Sequence, residues 1–329
     1  MKIKSLVIAL AAVVMSATAF AQDPVIEATK MYNEGVVLFK AQNYAEALPI
    51  LEKTVEAAMD ADAIDLAEKA QKLIPTCYFR NGLALATKGN TEEAIATLNK
   101  ANEIALLYNN AGVARNAKSA ISKIYTQKGA NAFNSKDYAA AIVDFAKGYE
   151  ANSQDTQLAL YLAMSYCELK DFENGVKVYT DIIALENRHS RFAEPAAKAK
   201  AELSNYLLVK AQEENTAGNK EAAYATLETL INADPTNAEN QMHRLQMAAA
   251  NEDWDNVIAW SELAAAIQAT PEAQSDVYYL LAVALDSKNE NTAAVEAYKQ
   301  VVAGDKLETA TKRAKELQEF IKAEKEAAK

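Results

Sequence analysis

Three stretches decide the fold: YNEGVVLFKAQNYAEALPILEKT (32–54), FRNGLALATKGNTEEAIATLNKA (79–101) and TQKGANAFNSKDYAAAIVDFAKG (126–148). Each carries a glycine, an alanine twelve residues later, and a Leu or Phe four residues after that. The glycines are Gly35, Gly82 and Gly129 and the alanines Ala47, Ala94 and Ala141, so both series step by 47. Working outward, the frame continues through Ala163/Gly175, Ala211/Ala223, Leu245/Val257 and Ala282/Ala294. Four residues past each second anchor stand Leu51, Leu98, Phe145, Tyr179, Leu227, Ser261 and Tyr298. Only Ser261 departs from a bulky residue, and the neighbouring Trp260 is expected to fill that volume.

Close helix packing explains the pattern. Two antiparallel helices joined by a short turn approach only where side chains are small, and a bulky residue then fills the space toward the next hairpin. Turn signals fall between the paired helices: AQN before Tyr44, KGN before Thr91, NSKD before Tyr138 and AGN before Lys220. Asp234-Pro235 marks a helix end, and Pro75 predicts a kink or a fresh helix start.

This small/large pattern resembles the tetratricopeptide repeat, a helix–turn–helix unit of about 34 residues. The resemblance covers about 28 to 301 and implies an all-α fold: a right-handed α-solenoid of helix-turn-helix repeats. Seven repeats are expected at about 28–61, 75–108, 122–155, 156–189, 204–237, 238–271 and 275–306, within a body of 22–306. The anchors step by 47, 47, 34, 48, 34 and 37. The long steps predict helices lengthened by about two turns on each arm of a hairpin. Leu307 to Lys322 is amphipathic before it gives way to AEKEAAK, so 307–329 reads as a capping helix and tail.

Residues 1–21 read as a signal peptide, with Lys2 and Lys4 before an apolar run from Leu6 to Met15 and Ala19-Phe20-Ala21 at the cleavage site. The competing reading is an uncleaved anchor, but the run is shorter than the ~20 residues of a spanning helix. Cleavage predicts an exported protein, periplasmic or secreted, with no membrane insertion afterwards. Losing Lys2 and Lys4 takes the formal charge from −11 to −13. An acidic chain of that kind argues against nucleic acid and membrane-surface partners.

No chemical constellation emerges. His189 and His243 are the only histidines, and H-E-x-x-H, G-x-S-x-G, C-x-x-C and phosphate-cradling loops are all missing. Asp60, Asp62 and Asp65 fail as an EF-hand because Ile64 takes a ligand position, Asp65 the turn glycine and Gln71 the closing Glu. Catalytic residues, metal ligands and cofactors are therefore expected to be none. Cys77 and Cys167 fall in the second and fourth repeats, where each repeat meets mainly its neighbours, and are expected to be buried, unpaired thiols.

The resemblance also implies a peptide-binding groove along the first helices. Carried over position by position, it gives Tyr32, Val36 and Phe39; Phe79, Leu83 and Ala86; Thr126, Ala130 and Phe133; and Leu160, Met164 and Cys167. The large residues among these, namely Tyr32, Val36, Phe39, Phe79, Leu83, Phe133, Leu160 and Met164, are the candidate partner-binding residues. Two readings stay open: an exposed groove for an apolar segment, or first helices packed together so that the stripe is hidden. None of the groove positions is Lys or Arg, so a clamp for a terminal carboxylate is not expected. The function implied is a scaffold or adaptor for protein partners in the cell envelope. A second class is capture of glycan or cell-wall fragments, with Tyr279 and Asp286 as contributors; an enzyme is the remote third.

Overall fold

A computed structural model describes residues 23–327; the signal segment expected at 1–21 lies outside them. The chain divides into two compact units. The first takes in the described residues through Ser135 together with Val143–Leu158, the second Lys136–Ile142 and Ala159 onward. Every regular element among the described residues is helical. No described helix is long and apolar enough to cross a membrane.

The first unit holds α1 (Pro24–Lys40), α2 (Tyr44–Asp60), α3 (Ile64–Gln71), α4 (Ile74–Thr87), α5 (Thr91–Leu107) and α6 (Ala111–Asn134). It also takes residues of α7 (Tyr138–Ala151) and α8 (Thr156–Glu168), which contribute to both units. The glycine rule now has a geometric cause. A Cβ on Gly35 would lie 2.7 Å from Leu51 Cδ2, one on Gly82 2.7 Å from Leu98 Cγ, and one on Gly129 2.5 Å from Phe145 Cε1. Each bulky residue thus rests on the glycine of its own hairpin. Leu51 also shares a core with Ile74 and Cys77 of the next hairpin, as Leu98 does with Ile121 and Ile124.

The second unit continues with α9 (Phe172–Ala184), α10 (Ala193–Thr216), α11 (Lys220–Ala233), α12 (Ala238–Ala250), α13 (Trp254–Ala266), α14 (Pro271–Ser287), α15 (Asn291–Lys299) and α16 (Leu307–Ala327). Here Cys167 Sγ occupies the place a side chain on Gly175 would need, 2.4 Å from its ideal Cβ. Leu245 and Ser261 form an inverted pair, large first and small second, and both are buried. Trp260 therefore does not substitute for Ser261. It packs edge-on against Tyr224 at 5.2 Å and lies 4.4 Å under the Arg244 guanidinium.

The turns share one backbone solution. Gln42, Gly89, Lys136, Lys170, Gly218, Glu252 and Asn289 all have positive φ and repeat the anchor spacing residue for residue. In six of them the next amide reaches back five residues, as from Asn43 to Leu38 or Asp171 to Tyr166 (2.9 Å each), the 6→1 bond of a Schellman cap. Only two of the seven are glycine, although a left-handed conformation costs other residues about 1–2 kcal/mol.

The long steps are not shared equally between arms. First helices α6 and α10 have 24 residues against 13 in α12, whereas second helices α2 and α5 have 17 against 13 in α9. In two of the three long steps most of the added length thus lies in the first helix, and in the other it forms the separate α3 ahead of an ordinary-length α4. Pro75 starts a fresh helix, at the second position of α4. At the far end α16 runs on to Ala327, through the AEKEA that the sequence reading took as tail. Its Ala, Glu and Lys are good helix formers, and Lys322 lies 4.0 Å from Glu326 one turn on.

Cys77 and Cys167 are free and buried. Burial, reinforced by Glu52 beside Cys77 and by Glu168 and Asp171 beside Cys167, pushes both thiols up to about 12. Thiolate is therefore scarce in the native state, and a thiol reagent at pH 8 is expected to modify the folded chain far more slowly than the denatured one. The linkage sign follows: an acid whose pKa is raised on folding adds stability below its unfolded value and loses it as pH climbs through the folded one. Tyr78, Tyr179, Tyr206 and Tyr298, also raised chiefly by burial, act in the same sense. Urea midpoints are expected to hold steady for these groups up to about pH 9 and to fall between there and pH 12.

Candidate partner-binding site

The eight candidate residues do not form one continuous stripe. Phe79 and Leu83 come together, with Ala86 and Thr87, on one wall of an open cleft of about 580 Å³. The opposite wall is α6, which presents Asn116, Ser119, Ala120, Lys123, Ile124 and Gln127. Tyr32 opens on a separate cleft of about 660 Å³ between α1 and α3, where Asp62, Asp65 and Lys69 are the charged neighbours. Val36 is half-buried on α1. Phe39 turns to the end of its own hairpin, edge-on to Tyr44 with ring centroids 5.4 Å apart. Phe133 does the same against Phe145 at 6.1 Å.

Leu160 is a correction to the groove reading. It retains only 3% exposure and belongs to the core, so it presents no surface to a partner. Cys167, another of the carried-over positions, is likewise sealed at 2%. Met164 is half-buried on the same helix. Leu160 is thus closed off, while Phe79 and Leu83 line an open cleft between α4 and α6.

The wall that sequence reasoning missed comes partly from the added turns of α6, which supply Asn116, Ser119 and Ala120, while Lys123, Ile124 and Gln127 lie within the length of an ordinary first helix. The carried-over positions were Thr126, Ala130 and Phe133 around Gly129, but the cleft uses residues from Asn116 to Gln127. The signal was present in the 47-residue step, which demanded extra helix without saying which arm received it. The cleft is mixed in character, with Phe79, Leu83 and Ile124 supplying apolar surface and Asn116, Ser119 and Gln127 uncharged hydrogen-bonding groups. Lys123 is its single charged lining residue. The Arg80 guanidinium stands 5.9 Å from the centroid of the Phe79 ring, next to it in sequence.

In the second unit Tyr279 and Asp286 are already engaged. Arg313 of α16 binds both Asp286 oxygens at 2.7 and 3.0 Å, Tyr298 Oη donates to the same carboxylate at 3.3 Å, and the Tyr279 ring packs on Tyr298 at 6.1 Å. A sugar would find neither a free platform nor a free carboxylate there.

A tetratricopeptide-repeat family model matches residues 75–106 and 275–303, the α4–α5 pair of the first unit and the α14–α15 pair of the second. No curated protein matches the chain. Among solved structures it is similar to the TPR2AB-domain:pHSP90 complex of yeast Sti1, at 20% identity over 90% of this chain and 97% of that one, with a TM-score of 0.29. It is also similar to a thermophilic tetratricopeptide protein of Thermus thermophilus, at 20% identity over 60% of this chain and 98% of that one, with a TM-score of 0.26. Both matched segments fall on helix pairs of the one frame that also sets the turns, so the chain carries tetratricopeptide repeats.

Proposed function

We propose that this protein is an exported scaffold, without catalytic activity of its own, that holds a partner protein of the cell envelope in the cleft between α4 and α6. The observation that carries this reading is that Phe79 and Leu83, both half-buried, line an open cleft, whereas Leu160, at the position equivalent to Phe79, is sealed in the core. Uncovered apolar surface lined by a few polar groups is what an inserted peptide side chain requires. Export is supported by the character of residues 1–21, with a mature chain starting at Gln22 in the periplasm or outside the cell.

The test is photo-crosslinking in the native host with the probe at Phe79 and a control at the exposed Glu92 of α5. A partner captured from Phe79 but not Glu92, lost on Leu83→Asp and joined to a chain whose first residue is Gln22, is the expected outcome. Equal capture at both positions would discard the cleft, and an N-terminus at Met1 would discard export by cleavage.

A further inference from the structure

Charge is distributed unevenly between the helices that build the cleft and the one beside them. Overall the protein is acidic, with 45 Asp and Glu against 34 Lys and Arg. Yet between Glu68 and Glu92 it carries Lys69, Lys72, Arg80 and Lys88 and no acid. Between Glu103 and Asp137 it carries Arg115, Lys118, Lys123, Lys128 and Lys136, again with no acid. These two stretches contain the whole of α4 and α6, the cleft walls. The acids of this region, Glu92, Glu93 and Glu103, are collected on the intervening α5.

The cations differ in what they already hold. Lys128 is committed to Asp144 on α7 at 3.5 Å. Lys123 and Arg80 have no ion-pair partner within 4.0 Å among the described residues, although Lys123 lines the cleft and the Arg80 guanidinium is close to the ring of Phe79. An acid-free pair of walls in an acidic chain repels cationic segments least where it attracts anionic ones most, which gives a docking surface its selectivity.

Resting on the reading of the α4–α6 cleft as the docking site, we infer that its partner is an acidic protein segment: large apolar side chains against Phe79, Leu83 and Ile124, with flanking Asp or Glu side chains on Lys123 and Arg80. Lys123 lies six residues before Gly129, outside the positions carried over from the family. A lipid surface is a poorer match. Lys123, without an ion-pair partner, is the single charged residue lining an open cleft of otherwise uncharged groups, whereas a bilayer is held by several cations clustered on one face.

Three fluorescein-labelled peptides of one apolar pattern, with only acidic, only uncharged or only basic residues between the apolar ones, provide the test by fluorescence anisotropy. The acidic peptide is expected to bind most tightly, with the advantage shrinking as salt is raised. Lys123→Glu is expected to weaken it by about fivefold, in line with an exposed charge pair, and to improve the basic peptide. Lys123 is exposed, so this variant keeps the fold, which its circular dichroism would verify. Equal binding of the three peptides, or a charge order unmoved by Lys123→Glu, would overturn the inference. If all three bind equally but are lost with Leu83→Asp, the cleft stands and only the charge preference falls. Should the charge order survive Leu83→Asp, the cleft itself is the wrong site. Binding to vesicles of anionic lipid in place of the acidic peptide would likewise overturn the assignment.

Discussion

Gly129→Leu is expected to cost about 3 kcal/mol, the upper end of overpacking penalties, and to be rescued in large part by Phe145→Ala. The ideal Cβ at position 129 already meets three atoms of the Phe145 ring at 2.5, 2.7 and 3.0 Å. Phe145 is fully enclosed, so the ring has nowhere to retreat. Taken alone, Phe145→Ala is expected to cost about 3–5 kcal/mol through the cavity it leaves. Combined, the two changes place a large residue first and a small one second, the arrangement the protein itself uses at Leu245 and Ser261. Urea unfolding of the wild type, both single variants and the double variant closes the cycle. A favourable coupling of about 1–3 kcal/mol is the expected result, and strict additivity would show that the two positions do not share one volume.

The second large effect is expected from removing α16. Its Ala310, Ala314 and Leu317 are buried in one cluster with Ala282, Leu285, Tyr298 and Val301. Cutting the chain before Leu307 leaves that apolar face of the last hairpin in water, and a repeat array without a polar outer face loses solubility. Hydrogen exchange is expected to show lost protection in α14 and α15 first, with self-association in sedimentation. Leu317→Ala offers a graded version at about 2–5 kcal/mol. The Arg313–Asp286 pair adds little to this count, since Arg313 is 43% exposed. Unchanged exchange in α14 and α15 after truncation would mean that the last hairpin needs no cap.

Most of the fold was legible because the repeat obeys a local rule. Gly35, Gly82 and Gly129 could be read as contact points, and the turn signals at 41–43 and 217–219 gave the hairpin ends. Pro75 gave a helix start. The allocation of the extra residues was not legible, because periodicity registers that a helix is longer but not which arm of the hairpin grows. AEKEAAK looked like a tail since it lacks apolar residues, yet propensity and one charge pair carry α16 to Ala327. The site was half visible. Phe79 and Leu83 follow from the frame, while the wall from Asn116 to Gln127 depends on how two neighbouring helices are spaced. Leu160 shows the same limit, because its apolar character is equally suited to a groove or a core and only its surroundings decide.

The pairs that fix each hairpin of the first unit, Gly35 with Leu51, Gly82 with Leu98 and Gly129 with Phe145, join residues only sixteen positions apart. Such short loops close within microseconds, and chains dominated by them fold fast because little entropy is lost before the first contacts form. A mutation in one hairpin then leaves the others free to start the reaction, so no single segment sets the pace. Under the proposed export, a polypeptide delivered in extended form would regain its packing hairpin by hairpin as it emerged, without waiting for its far end.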